Sequence, residues 1–465
     1  MSMNPEFQRQ LWLNWRPSLI GWSLGLSALA LAVPLATGDA KNRLHFVAIT
    51  AIALMWMAAA IYGSALAARS LREEAVQNTW DWQRLSALSP WQMAWGKLLG
   101  ATAPAWLYVL WFALVANFLS ATLDQLGLGM LSLHSMLLAV LWGLGLQAWA
   151  MVSVLLSWHT QSRAGSKRFT APLPFLCLFL LPGPMFSRLA SSFFNKDDGA
   201  VLWWGMDLGN KGVAYIFGFV ILGLGLLALW RQLCTRLDVR TLPWAWPLGL
   251  CVTGFTVGGL FSSSPIAFLS WTCCFALVGT AYVALQSMDD GLRNWRQVQW
   301  CAAQGRWRDA LQALPLWPVS WLLAAITCGL WLLWPQNLGI GLLDLPAAPL
   351  SAAIVTLQVL RDAAILTGFA LLAGRLKSPM AAFWITMLVL NAVLPLLGMA
   401  LLRNINAIAV IQPVLGLIWN HGEQELGLTP WIAMGLHLLL ALGWLAYIFR
   451  QRVLGYASET SAQRG

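Results

Sequence analysis

Twelve predominantly apolar runs, each of roughly the twenty residues a membrane-crossing helix needs, recur along the chain. They lie near 18–37, 46–67, 101–123, 130–157, 170–187, 212–230, 244–262, 265–287, 317–334, 346–374, 379–402 and 429–449. A helix satisfies its own backbone hydrogen bonds inside lipid, so the pattern predicts an all-α polytopic membrane protein of about twelve transmembrane helices. Two stretches break it. Asn4 to Pro17 is polar, Trp-rich and amphipathic, and reads as an N-terminal interfacial helix. Ala68 to Gly100 is the most polar long segment. Within it Leu85, Leu88, Trp91 and Trp95 recur at three- and four-residue spacing after Trp80, with Arg72, Glu73 and Glu74 ahead of them and Asp81 and Arg84 among them. That spacing predicts a helix centred on Trp80 to Leu88, lying near the membrane plane and touching a cytosolic partner or anionic lipid.

Twelve spans invite division into six and six. The segment Trp80 to Trp95 aligns in order with Arg306 to Trp321: Leu85, Ala87, Leu88, Trp91 and Trp95 correspond to Leu311, Ala313, Leu314, Trp317 and Trp321. The expectation is two fused six-helix halves, 1–240 and 241–465. Each carries a polar loop, 69–100 in the first and a degenerate one, 288–316, in the second. After the fifth and eleventh spans, LPGPMFSRLASSFF and LPLLGMALLRNINAIAVIQPVLGLIW read as short re-entrant or interfacial helices.

Charge sets the orientation. Charged residues are 10% of the chain, against about a quarter in soluble proteins. The net charge of +10 comes from basic residues in short loops, and most of the 28 Lys and Arg fall on one side when both termini are cytosolic. Positive-inside orientation accounts for them and leaves no basic surface for nucleic acid. The seven cysteines sit in spans or near the inner side without metal-ligand spacing, and the five histidines form no zinc pattern. Gly96-Lys97 runs into Leu98 and lacks the preceding glycine of a phosphate-binding loop, so nothing here cradles a nucleotide. The G-x-S-x-G match at Gly21 to Gly25 falls inside the first apolar run, so no strained G-x-S-x-G turn offers a nucleophile. Arg361 and Asp362 lie midway along a span, about 20 Å from Arg375 at 1.5 Å per residue. A charge that deep costs at least ~2.5 kcal/mol, so it faces protein or water. It is either a polar contact on a substrate path or a structural network locking helices together, since adjacent residues cannot share one face. His437 stands alone in the last span.

The polar loop also carries a resemblance. Glu74 stands five residues before Thr79, and Leu88, Ser89 and Pro90 follow at nine, ten and eleven. Gly96 and Lys97 come at seventeen and eighteen. In this register the segment resembles the loop after the second span of type-2 ABC transporter permeases, with Asn78 in place of the usual glycine. The resemblance covers about thirty residues, a length at which several matched positions outweigh a lone short motif. It implies the membrane-spanning subunit of an ABC exporter, forming the translocation pathway without enzymatic activity of its own. ATP and Mg would be held by a separate ATPase subunit, two copies per transporter. That subunit would dock on a coupling helix at Glu73, Glu74, Thr79, Leu85, Leu88, Ser89, Pro90, Gly96 and Lys97. A second coupling segment would use Leu311, Leu314 and Trp317. The chain needs no cofactor. Its partners are the ATPase, membrane lipid and a second copy of itself, in the bacterial cytoplasmic (inner) membrane. A twelve-span secondary transporter and a polytopic lipid-modifying enzyme share the same frame. The sparse intramembrane charges count against the first, and the small outer loops against the second.

Overall fold

A computed structural model of the chain describes residues 4–15, scattered positions between 21 and 36, and 43–77, 83, 85, 88–122, 128–161, 201–237, 239, 241–288, 290–333, 349–402, 410–414 and 429–455. Nearly all are helical, and they gather into two compact units, 1–202 with 206–241 and 203–205 with 242–465.

In the first unit, α1 (Pro5–Asn14) starts where its sequence directs: the Asn4 side chain accepts the Glu6 N–H, Pro5 opens the first turn and Glu6 lies in it. It ends at Trp15, which is extended ahead of Arg16-Pro17. Next, α2 runs from Arg43–Trp56 through a π-helical turn, Met57–Tyr62, into Gly63–Val76. In that turn the Gly63 N–H bonds to Ala58 O rather than Ala59 O. The amide of Gln147, fully buried on a neighbouring helix, donates to Ala59 O at 2.8 Å instead. Two long helices follow, α3 (Pro90–Thr122) and α4 (Leu128–Gln161), and then α5 (Gly209–Arg236). Ser89 and Gln92 cap α3 reciprocally: Gln92 N–H donates to Ser89 Oγ at 3.3 Å and Ser89 N–H to Gln92 Oε1 at 3.0 Å. Small residues let these helices close up around Leu71, Met93, Leu98, Met151, Leu155, Leu229 and Leu233.

The second unit contains α6 (Ala245–Phe261), α7 (Pro265–Gln286), the amphipathic α8 (Gly291–Ala303) and the short α9 (Trp307–Ala313). The chain then turns by 90° into α10 (Trp317–Leu333). Leu314 is extended there, as a residue before a proline tends to be, and Pro315 cannot continue the helix. α11 (Pro349–Leu371) follows, and then α12, which comprises Pro379–Leu388, a π-helical turn Val389–Val393, and Leu394–Leu402. The π turn precedes Pro395, which lacks an N–H for the carbonyl four residues back. α13 (Thr429–Phe449) ends in a third π turn, Arg450–Leu454. Trp204 and Gly205 take φ of 53° and 78°, the pair a type I′ turn requires, between strands Leu202–Trp203 and Met206–Asp207. The indoles of Trp203 and Trp204 donate to Thr256 O and Phe255 O on α6.

Among the described residues eight helices are long and apolar enough to cross a membrane, and the bent α9–α10 pair makes nine. The protein is all-α and polytopic. The expected run 244–262 is a helix of 17 residues, Ala245–Phe261. The run 18–37 lies largely outside the described residues, and 170–187 wholly outside them.

Candidate functional site

Helix α1 is amphipathic in an inverted sense. Glu6, Gln10 and Asn14 recur every four residues and form the face turned to the protein, where Glu6 and Gln10 are buried. Trp12, Leu13 and Trp15 stand exposed on the other side, as the lipid-facing anchors of an interfacial helix would. The protein face lies on α3, which meets it with two glycines one turn apart. A Cβ on Gly96 would come 2.7 Å from Glu6 Cβ, and one on Gly100 would come 2.6 Å from Gln10 Cβ and 2.9 Å from the Phe7 carbonyl oxygen. Only glycine admits the backbone of α1 so close. Asn4 Nδ2 pins the start of α1 by donating to Gln92 O at 2.6 Å.

At the centre is a closed set of four charges. Lys97, fully buried on α3, reaches Glu74 Oε2 on α2 at 2.5 Å and Glu6 Oε1 on α1 at 3.0 Å. Arg9 grips Glu6 with two bonds, Nε to Oε2 at 2.9 Å and Nη2 to Oε1 at 2.8 Å, and also pairs with Glu74. Gln10 Nε2 donates to Glu74 Oε1 at 2.6 Å and to Glu6 Oε1 at 3.1 Å. Two carboxylates against one ammonium and one guanidinium leave no net charge, which is the condition for burying such a group at tolerable cost. Burial raises the Glu6 carboxyl, but the Arg9 hydrogen bonds, Lys97 and the remaining Arg9 attraction outweigh it and hold the group at about 2. The Glu6 partnership correspondingly raises Arg9 above its ordinary value.

This arrangement redistributes the residues expected at a docking surface. Glu74, Gly96 and Lys97 are interior: they fasten the two ends of the 69–100 loop to each other and to α1, and they present nothing to a partner. Glu73, one residue from Glu74, is exposed and pairs only locally with Arg69 at 2.6 Å. Ser89 and Pro90 start α3. Leu85 is 82% exposed, and Leu88 is half-buried. Thr79 and most of the expected Trp80–Leu88 helix lie outside the described residues. In the second unit Leu311 is exposed on α9 and Leu314 is half-buried. Trp317 belongs to the core with Phe383, Ala364 and Leu366 rather than to a docking face. The sequence pointed to α1 as interfacial. It gave no sign that the polar stripe of α1 completes the charge set begun by Glu74 and Lys97.

A second polar cluster surrounds Arg361 in the second unit. Arg361 is 2% exposed and donates from Nε to Asp362 Oδ1 at 2.8 Å, so the neighbours share a bond despite diverging from the helix. Nη2 donates to Asn391 Oδ1 at 2.7 Å on α12, inside its π turn. Gln412 Nε2 donates to the same oxygen at 2.8 Å, and Nη1 lies 3.5 Å from His437 Nδ1 on α13. The cluster therefore ties α11, α12 and α13 together.

No protein-family model, curated protein or solved structure matches this chain.

Proposed function

We propose that the chain is the membrane-spanning subunit of an ATP-driven exporter of the type-2 ABC kind, with twelve spans in two fused six-helix halves. ATP and Mg belong to a separate ATPase that docks on the 69–100 loop. The observation that carries this reading is the charge set of buried Glu6, Glu74 and Lys97 with half-exposed Arg9. It fastens the last turn of α2 to the first turns of α3 and lays α1 across both. A force applied at Leu85 thus reaches two spans through a stiff base rather than dissipating in a flexible loop. A loop that only lay on lipid would have no use for three buried charges and a half-exposed arginine at its root. In this reading Leu85 and Leu88 supply the apolar contact and Glu74 with Lys97 the transmission. Leu311 and Leu314 form a weaker second contact.

The test is affinity purification of the tagged full chain from its native membranes, with co-purifying proteins identified by mass spectrometry. Wild type should bring down an ABC-type ATPase, and Leu85→Glu should lose most of it while eluting normally in size exclusion. Wild-type chain recovered without any nucleotide hydrolase, or ATP turnover by the homogeneous chain alone, would refute the reading. The mid-span cluster of Arg361, Asp362 and His437 favours ion-coupled secondary transport as the second reading. That reading predicts transport in vesicles driven by an ion gradient without ATP.

A further inference from the structure

At the end they share, α11 and α13 gather basic side chains that take no part in the coupling contact or in the Arg361 cluster. The loop leaving α11 is tight: Gly374 takes a φ of 91°, and the Arg375 N–H donates to Leu372 O at 3.0 Å. Arg452, in the π turn that ends α13, lies against this loop. It donates from Nε to Leu371 O at 3.3 Å and from Nη2 to Ala373 O at 3.4 Å. Its own carbonyl oxygen accepts Nε and Nη2 of Arg296 on α8, at 3.1 and 2.9 Å. Three elements thus bring Arg296, Arg375 and Arg452 within electrostatic reach of one another.

The charge there is not balanced. Among the described residues the ionic groups that act on Arg452 are Arg375 and Arg296, both of like sign, and no carboxylate joins them. The carbonyl oxygens at the helix end give Arg452 hydrogen bonds but no formal charge. Arg375, Lys377 and Arg450 are exposed and make no ion pair among the described residues. Of the nearby carboxylates, Asp290 opens α8 six residues before Arg296, and Asp362 lies thirteen residues before Arg375, about 20 Å along the helix, where Arg361 holds it. Positive-inside orientation accounts for basic residues on this face. It does not require like charges to converge on one loop, and a bound anion would relieve their repulsion.

Depth and surroundings decide which anion. The 23-residue α11 ends about 17 Å from its own centre. Half the hydrocarbon core is about 15 Å, and the outer edge of the headgroups lies at about 20–22 Å. Loop 372–378 and the turn 450–454 therefore sit at the level of lipid phosphates. Met380 and Trp384, just beyond the loop on α12, and Tyr447 on α13 are exposed, as residues facing acyl chains and the interface would be. A loop this short keeps its basic groups at the membrane surface, within reach of a headgroup, rather than projecting them towards a soluble protein.

We infer that Arg375, Lys377 and Arg452 hold the headgroup of an anionic phospholipid, its phosphodiester at the α11 and α13 ends and its acyl chains along the exposed apolar side of α12. The site stands independently of any ATPase, and its failure would leave the exporter reading untouched. Each basic side chain at a membrane surface favours an anionic lipid by roughly fivefold, so two of them together select it by more than about tenfold.

The experiment titrates the full chain in a neutral detergent with phosphatidylglycerol or with phosphatidylcholine of the same acyl chains. Bound lipid is read by native mass spectrometry, and backbone hydrogen exchange is followed at 372–378 and 450–455. Phosphatidylglycerol should bind at least about tenfold more tightly than phosphatidylcholine, and it should slow exchange in both segments. Phosphatidylcholine and inorganic phosphate should leave exchange there unchanged. Arg375→Gln with Lys377→Gln should remove most of the preference. Arg69→Gln with Arg308→Gln, which takes the same charge from exposed positions elsewhere, should keep it. Equal binding of the two lipids, an equal loss in the control pair, or protection by inorganic phosphate alone would overturn the inference. So would an unchanged lipid preference in Arg375→Gln with Lys377→Gln, and if that variant also lost a protein that co-purifies with wild type, the patch would belong to an acidic protein surface instead. Should the variant not fold, unchanged exchange at 372–378 in wild type with phosphatidylglycerol refutes the site by itself.

Discussion

Replacing Lys97 by methionine tests the charge set most sharply, because methionine keeps the chain length and removes only the ammonium. In the native arrangement Lys97 faces two carboxylate oxygens at 2.5 and 3.0 Å. At an effective dielectric constant of 20 each contact is worth about 6 kcal/mol of gross attraction. Removing three ions from water costs several kcal/mol apiece, so the net stabilisation is far smaller. Deletion is costly all the same, because Glu6 and Glu74 would remain buried with Arg9 alone between them. The expected loss is about 3–5 kcal/mol, the usual cost of stranding a buried partner. Part of it would be recovered if one carboxylate takes up a proton. Adding Glu74→Gln restores neutrality. The double variant should therefore be less damaged than the sum of the single variants, by a coupling of about 1.5–3 kcal/mol. The readouts are the melting midpoint in detergent and hydrogen-exchange protection of residues 5–14, which reports α1 docking directly. Strictly additive losses, or full protection of 5–14 in Lys97→Met, would show that the charges do not hold α1 and would refute the reasoning.

Glu73→Ala should change the melting midpoint almost imperceptibly, since the exposed i,i+4 pair with Arg69 is worth less than about 0.5 kcal/mol, whereas Glu74→Ala next door should be strongly destabilising; equal effects would contradict the burial difference. Gly100→Leu should expel α1 from α3, lowering stability by about 1–3 kcal/mol and removing exchange protection from 5–14 but not from α4 or α5. Glu6 has its folded value lowered from 4.5 to about 2, so its contribution is complete above pH 4.5 and fades as pH falls towards 2; α1 should release over that window, and Glu6→Gln should flatten the profile. In an assembled transporter, Leu85→Glu with Leu88→Glu should abolish substrate-stimulated ATPase activity and Leu311→Glu with Leu314→Glu should reduce it less; equal losses in well-folded protein would remove the asymmetry between the two segments.

Local and compositional features of this protein follow from the sequence alone. Runs of apolar residues long enough to span lipid dictate helices, because no other single segment satisfies its backbone there. Asn4-Pro5-Glu6 and Ser89-Pro90-x-Gln92 set helix starts through side chains a few residues away. The bend before α10 is written in Leu314-Pro315. The depth of Arg361 is a matter of counting along one helix. Partnerships across the fold are of another kind. Glu73 and Glu74 are the same residue type side by side, and a rotation of about 100° around the helix puts one in water and the other against Lys97 and α1. The spacing that marks Glu74, Gly96 and Lys97 as a group is visible in the sequence, but whether they face a partner or one another depends on how α1, α2 and α3 pack. Likewise, Arg361 meets Asn391, Gln412 and His437 only because three helices converge. Periodicity reports which face of a helix is apolar, while the identity of what lies against that face depends on residues far away in the chain, and only the tertiary structure brings those together.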